Sequence, residues 1–142
     1  MPPLSDPKLG MIGQVPIFQN LNKKHLSSIA DSGKRLSYDP GEKIVSKGEE
    51  GSTLYLILDG LVAVRSGNRV LANLGKGNFF GEIALFDKQP RSADVVAVSH
   101  TTCLGITAAS FERILQKEPK IVLGINRELA RRLRNANVAL TE

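Results

Sequence analysis

Thr53-Leu-Tyr-Leu-Ile-Leu-Asp59-Gly60-Leu61-Val-Ala-Val-Arg65-Ser66-Gly67-Asn68-Arg69-Val70-Leu-Ala-Asn-Leu74-Gly75-Lys76-Gly77 is built from aliphatic and β-branched runs cut by Asp-Gly, Ser-Gly-Asn and Gly-Lys-Gly. Such runs fit the pleated, half-buried surface of a sheet. The residues between them supply the turn conformations that join antiparallel neighbours. The pattern predicts strands over Thr53 to Leu58, Leu61 to Arg65 and Val70 to Leu74. Working outward, Arg35 to Tyr38, Lys43 to Ser46, Ala93 to Val98 and Thr102 to Ile106 repeat the same grammar, with Asp39-Pro40-Gly41 and Gly48-Glu49-Glu50-Gly51 as separators. Many short strands at close spacing read as a sandwich or barrel.

Helical signals flank this block. Asn22 is placed to cap a helix whose face carries Leu26, Ile29 and Ala30, with Gly33 as its C′ residue. Beyond the strands, Ser110 opens a helix through Phe111, Ile114 and Leu115, and Pro119 starts a second one running to about Val138. Along it Val122, Ile125, Leu129, Leu133, Ala136 and Leu140 recur at helical steps, which suits either a lid over the strands or a seam with a second copy. Residues 1–8, with Pro2, Pro3 and Pro7 and no periodicity, are expected to be a loose arm, leaving residues 9–142 as one domain.

Composition narrows the classes. A chain of 142 residues is long enough to bury one core without staples. One cysteine, Cys103, permits neither an internal disulfide nor a thiolate metal cluster, and its apolar strand reads as a small buried thiol. His25, among lysines on a helix, reads as solvent-facing, and His25 and His100 are too far apart in sequence for the paired histidines of a metal-binding cupin. With no run of signal or transmembrane length, a cytoplasmic location without membrane insertion is expected. The net charge of +5 gathers partly on the last helix, at Lys120, Arg127, Arg131, Arg132 and Arg134, which reads first as a solvated face.

The chemistry concentrates in Phe80-Gly81-Glu82-Ile83-Ala84-Leu85-Phe86-Asp87-Lys88-Gln89-Pro90-Arg91-Ser92-Ala93. Gly81 can end a strand in a tight turn, and Ile83 to Phe86 are long enough for one helical turn whose first N–H groups invite an anion. Arg91, between Pro90 and the small Ser92 and Ala93, can present its planar fork to the same anion. Glu82 would repel that anion unless it accepts hydrogen bonds from a neutral polyol beside it. Phosphate next to ribose is the common form of that pair. The plainer alternative is a Glu82–Arg91 ion pair across the loop.

Phe80-Gly81-Glu82-Ile83-Ala84-Leu85 followed by Pro90-Arg91-Ser92-Ala93 resembles the phosphate-binding cassette of cyclic nucleotide-binding domains, the family of the catabolite activator protein, protein kinase A regulatory subunits and cyclic-nucleotide-gated channels. The resemblance extends from about Val15 to Val138. It implies a mainly β fold: an eight-stranded antiparallel β-roll of jelly-roll topology over about 34–107, N-terminal helical elements, and two C-terminal helices over about 108–140. Carried over by position, Arg91 holds the cyclic phosphate and Glu82 the ribose 2′-hydroxyl. Gly81, Ile83 and Ala84 supply backbone, and Ser92 and Ala93 complete the cradle. Asn137 is left as the purine contact, because Ala136 has replaced a hydroxyl residue.

The implied function is that of a non-enzymatic sensor for cAMP or cGMP, cAMP foremost, with no cofactor. Leu85 would couple the cassette to the helix joint at Phe111, Leu115 and Ile121. Asp94, where threonine is frequent in the family, is expected to turn outward or pair with a lysine. The implied partners are the nucleotide, a second copy through the last helix, and an effector; no DNA binding is expected of this chain alone, since a helix-turn-helix does not fit after Val138. A nucleotide-free scaffold, the sensor half of a transcription regulator, and a channel or kinase module are the competing readings.

Overall fold

The computed structural model describes residues 7–87 and 89–141, side chains at 7, 8, 83 and 137–141 excepted. Helix α1 (Pro7–Gly13) is followed by a 3₁₀ turn (Pro16–Phe18) and α2 (Lys23–Ser32). Eight strands come next: β1 (Lys34–Tyr38), β2 (Lys43–Val45), β3 (Thr53–Asp59), β4 (Leu61–Ser66), β5 (Arg69–Gly75), β6 (Phe79–Phe80), β7 (Asp94–Ala97) and β8 (Thr101–Thr107). A second 3₁₀ turn (Glu82–Leu85) separates β6 from β7, and α3 (Ala108–Lys117) and α4 (Lys120–Thr141) close the chain.

The strands form two four-stranded antiparallel sheets, ordered β1-β8-β3-β6 and β2-β7-β4-β5, which is the expected β-roll. Strand β6 was not among the runs read from composition. Two residues carry too little pattern, and their place is decided by pairing Tyr55 with Phe80 and Leu56 with Phe79.

Alternation along β3 and β8 divides the interior. Leu54, Leu56, Leu104 and Ile106 point to the helices, where they meet Ile12, Phe18, Ile29, Phe111, Ile121 and Ile125. Ile57 and Cys103 point the other way, between the sheets, with Val45, Val62 and Val95. A strand covered on both faces reads as a nearly continuous apolar run, as Leu54 to Leu58 does. Cys103 is fully buried, and burial pushes its thiol up to about 11, so it stays protonated at neutral pH.

Several local readings need correction. Residues 7–8 open α1 instead of belonging to an arm, since proline is at home in a first helical turn; residues 1–6 lie outside the described residues. Asn22 caps α2 as read, accepting the His25 N–H at 2.9 Å. Gly33, however, has extended backbone (φ −81°, ψ 159°), not the left-handed conformation of a C′ glycine. It is glycine for space: a Cβ there would stand 2.7 Å from Leu104. Helix α3 begins at Ala108, before Ser110, because Thr107 is the cap and accepts the Ser110 N–H at 3.1 Å.

The stripe read along α4 is also turned. Ile121, Ile125 and Glu128 form the buried face, while Val122, Leu129 and Leu133 are 37, 39 and 64% exposed. Only Ile125 of the described stripe residues is buried, because the helix packs on the N-terminal 3₁₀ turn and α3 along a neighbouring line.

Candidate functional site

Gly81 has φ +83°, a conformation that residues with a Cβ rarely adopt, and it turns the chain sharply out of β6. The 3₁₀ turn that follows places Glu82 and Ala84 on one side of an open cleft of about 390 Å³. Pro90, Arg91 and Ser92 form the other side. A cavity of about 410 Å³ lies between α2 and α3, lined by residues of both signs, Asp31, Arg113, Lys117 and Glu118.

Arg91 is fixed through both backbone and side chain. Its N–H reaches the Glu49 carbonyl at 2.8 Å, and its own carbonyl accepts the Gly48 N–H at 2.8 Å. Its Nη2 donates to the Thr53 carbonyl at 2.9 Å. The guanidinium lies between two glycines: a Cβ on Gly51 would overlap it, and one on Gly81 would fall 2.6 Å from Nη1 and 2.5 Å from the Thr53 carbonyl oxygen. No carboxylate pairs with Arg91 among the described residues.

Glu82 is held from elsewhere. Its Oε1 lies 3.7 Å from Arg132 Nη1 of α4, and its Oε2 is buried without a hydrogen-bond partner among the described residues. Burial raises the Glu82 carboxyl above the ordinary glutamate range, with Arg132 opposing that shift. Glu82 therefore does not pair with Arg91, and the plainer sequence alternative falls.

Other expected residues divide. Gly81, Glu82, Ala84, Arg91 and Ser92 meet on the cleft, whereas Ala93 is buried behind it. The Ala84 N–H donates to the Gly81 carbonyl at 3.1 Å and closes the tight turn. The side chains of Ile83 and Asn137 lie outside the described residues. Asp94 accepts the Lys47 N–H at 2.7 Å and pairs with Lys43 at 3.6 Å; the Lys47 bond in first place, with the lysine charges, lowers its carboxyl below the usual range. This is the lysine pairing expected of it.

Leu85 is buried with Phe111, Leu115 and Ile121, as expected of the joint. Phe86 stands edge-on to Phe111 with centroids 5.7 Å apart, and Phe111 meets Phe18 at 5.9 Å. Phe111 thus touches both the cassette and the N-terminal segment.

Sequence reasoning missed Arg132, Glu128 and the Thr53 carbonyl. Arg132 had been counted to a solvated basic face, and Glu128 had no reading at all. The signal available was phase: positions 121, 125, 128 and 132 recur at steps of four, three and four, in line with buried isoleucines.

Residues 35–118 match the family model of the cyclic nucleotide-binding domain. Among solved structures, the N-terminal domain of a transcriptional regulator from Streptomyces coelicolor superposes with a TM-score of 0.85 and 26% identity, covering 92% of this chain and 94% of that one. The cAMP-bound PfPKA-R structure gives 0.68 and 30%, covering 94% of this chain and 45% of that one. A protein of Rhodopseudomonas palustris, by name a potassium channel protein, is 32% identical over 138 residues, which are 93% of this chain but 33% of the relative. The chain thus spans about a third of that relative's length. No helix among the described residues is long and apolar enough to cross a membrane, and no cluster there could hold a metal ion.

Proposed function

The chain belongs to the cyclic nucleotide-binding domain family, and from that premise we propose that it is a cyclic-nucleotide sensor whose ligand occupies the cleft between Glu82 and Arg91. The observation that carries this reading is the division of charge across the cleft. Among the described residues, Arg91 is held by a carbonyl and two glycines with its charge unmatched, while Glu82 is matched from behind by Arg132 and keeps one oxygen unpartnered. A cyclic nucleotide presents one anionic phosphate and, beside it, a neutral ribose hydroxyl. Arg91 takes the phosphate, with Ser92, Ala93 and the backbone of Gly81, Ile83 and Ala84 around it. Glu82 Oε2 takes the hydroxyl, and Asn137 meets the purine.

Binding draws the cassette inward, Leu85 moves with it, and the packing at Phe111, Leu115 and Ile121 adjusts, which closes α4 over the base. The size of that shift is bounded by the ligand's differential affinity for the closed form. The exposed line of Val122, Leu129 and Leu133 is the seam for a second copy, and sedimentation with and without ligand reads it directly. The domain regulates and carries out no chemistry of its own. The nucleotide is cAMP ahead of cGMP, because Asp94 is engaged with Lys43 and Lys47 and leaves guanine without a carboxylate acceptor.

Calorimetry with cAMP and cGMP tests the proposal. Thermal shift gives a parallel test: ligand at a hundred times its Kd should add about 2.7 kcal/mol of stability. Absence of binding by either nucleotide would leave the fold serving as a scaffold instead.

A further inference from the structure

Glu128 is a glutamate that is 1% exposed, on a helix whose opposite face is in solvent. Burying a carboxylate is costly unless donors surround it, and this one is surrounded. Arg131 donates to both oxygens through Nε, at 3.2 and 3.1 Å, and again through Nη2. Asn20, on the connector between the first 3₁₀ turn and α2, donates Nδ2 to Oε2 at 3.2 Å. Arg132 Nε stands 3.8 Å from Oε1.

The same face of α4 is pressed onto that connector one turn earlier. A Cβ on Gly124 would lie 2.8 Å from Leu21 Cδ2 and 3.5 Å from the Asn20 carbonyl oxygen. Ile121 and Ile125 are buried alongside. The register of α4 is therefore set by its contact with residues 20–21. One turn beyond Glu128, about 6 Å along the axis, the guanidinium of Arg132 spans two carboxylates, with Nε toward Glu128 and Nη1 toward Glu82. Such a planar fork can hold two acceptors only in a restricted geometry.

We propose that Glu128, tied to Asn20, is a positioning residue for the ligand cleft: it holds Arg132 against one oxygen of Glu82 and so leaves the other oxygen aimed at the ribose hydroxyl. The inference rests on the reading that the cleft takes a cyclic nucleotide. It makes the ribose side of the site depend on packing between the two ends of the domain, while the phosphate side depends on the contact of the cassette with residues 48–53. Loosening Asn20 from Glu128 then weakens ribose recognition from a distance.

The experiment is calorimetric titration of cAMP and 2′-deoxy-cAMP into the wild type, Glu128→Gln, Asn20→Ala, Arg132→Ala and the Glu128→Gln/Arg132→Ala double variant. Glu128→Gln and Asn20→Ala should each weaken cAMP by about threefold to thirtyfold, leave 2′-deoxy-cAMP nearly unchanged, and add nothing once Arg132 is removed. Equal weakening of both nucleotides, or additive losses in the double variant, would overturn the proposal in favour of a purely structural carboxylate. A second measurement needs no nucleotide. Asn20→Ala changes no charge, so retraction of Arg132 should move the Glu82 carboxyl titration, followed by NMR in the ligand-free protein, upward. An unmoved Glu82 titration overturns the positioning role by itself. A moved titration in a protein that binds neither nucleotide overturns the functional reading and leaves the positioning role standing.

Discussion

Arg91 and Glu82 face one cleft but are held by different physics. Arg91 is fixed by the segment that leads into β3: the Thr53 carbonyl, backbone bonds to Glu49 and Gly48, and Gly51, which with Gly81 leaves room for its plane. Glu82 is fixed from α4, by an arginine fifty residues later in the chain that also stands beside a buried glutamate bonded to an asparagine near the start. The first arrangement lies within the β-roll. The second requires α4 to be docked, so one side of the cleft is built by the roll and the other by the roll and a helix together.

The comparison is broken most severely at Arg91. Arg91→Ala should weaken cyclic-nucleotide binding by roughly 2–5 kcal/mol, since the phosphate loses its charged partner; an unchanged Kd would remove Arg91 from the site. Gly51→Ala sharpens the point. Its added methyl overlaps only the far end of a flexible side chain, so the melting temperature should hold while Arg91 is displaced and binding falls by about 1–3 kcal/mol. If affinity survives, the glycine cradle does not position the arginine.

On the other half, Glu82→Ala should cost about 1–3 kcal/mol for a charged acceptor and should erase most of the preference for ribose over 2′-deoxyribose. A variant that keeps that preference would exclude Glu82 as the ribose ligand. Its pH dependence has a definite sign. Because burial raises the folded-state pKa of Glu82, the folded protein holds this proton longer than the unfolded chain. The resulting stabilisation is complete below the unfolded value and is lost as pH rises through the folded one. Asp94, whose folded value is lowered, acts oppositely: its contribution is present above the unfolded carboxylate value and is lost as pH falls through the folded one. Melting temperatures of Glu82→Gln and Asp94→Asn across the acid range should therefore diverge from the wild type in opposite directions. The smallest effect expected is on selectivity. Asp94→Thr should leave a cAMP preference of under about tenfold, or 1.4 kcal/mol, nearly unaltered, and a large change in that ratio would make Asp94 the purine reader.

The legible features were those with local causes. Strand periodicity and turn residues placed seven of the eight strands within a residue or two, and the cassette spacing brought Gly81, Glu82, Ala84, Arg91 and Ser92 onto one cleft as expected. Features read wrongly depended on a neighbour far along the chain. Gly33 ends α2 as read, yet not in the left-handed conformation, and its smallness answers to Leu104. The apolar stripe of α4 suited a lid or a seam with a second copy, and the line buried within the domain runs instead through Ile121, Ile125 and Glu128. Arg132 looked like one more surface cation.

By itself, the sequence determined the succession of short strands and the turn at Gly81 and set Glu82 and Arg91 in one segment, because alternation, turn chemistry and residue spacing act over a few neighbouring positions; the β-roll topology was implied by the family resemblance. Only the tertiary structure decided which arginine answers Glu82, which face of α4 is buried and which donors surround Glu128. An ion pair between a cassette and a helix has no spacing rule, since its distance is set by how the helix docks, and that docking is settled by Gly124, Ile121 and Ile125 packing on residues 20–21 and the surrounding core.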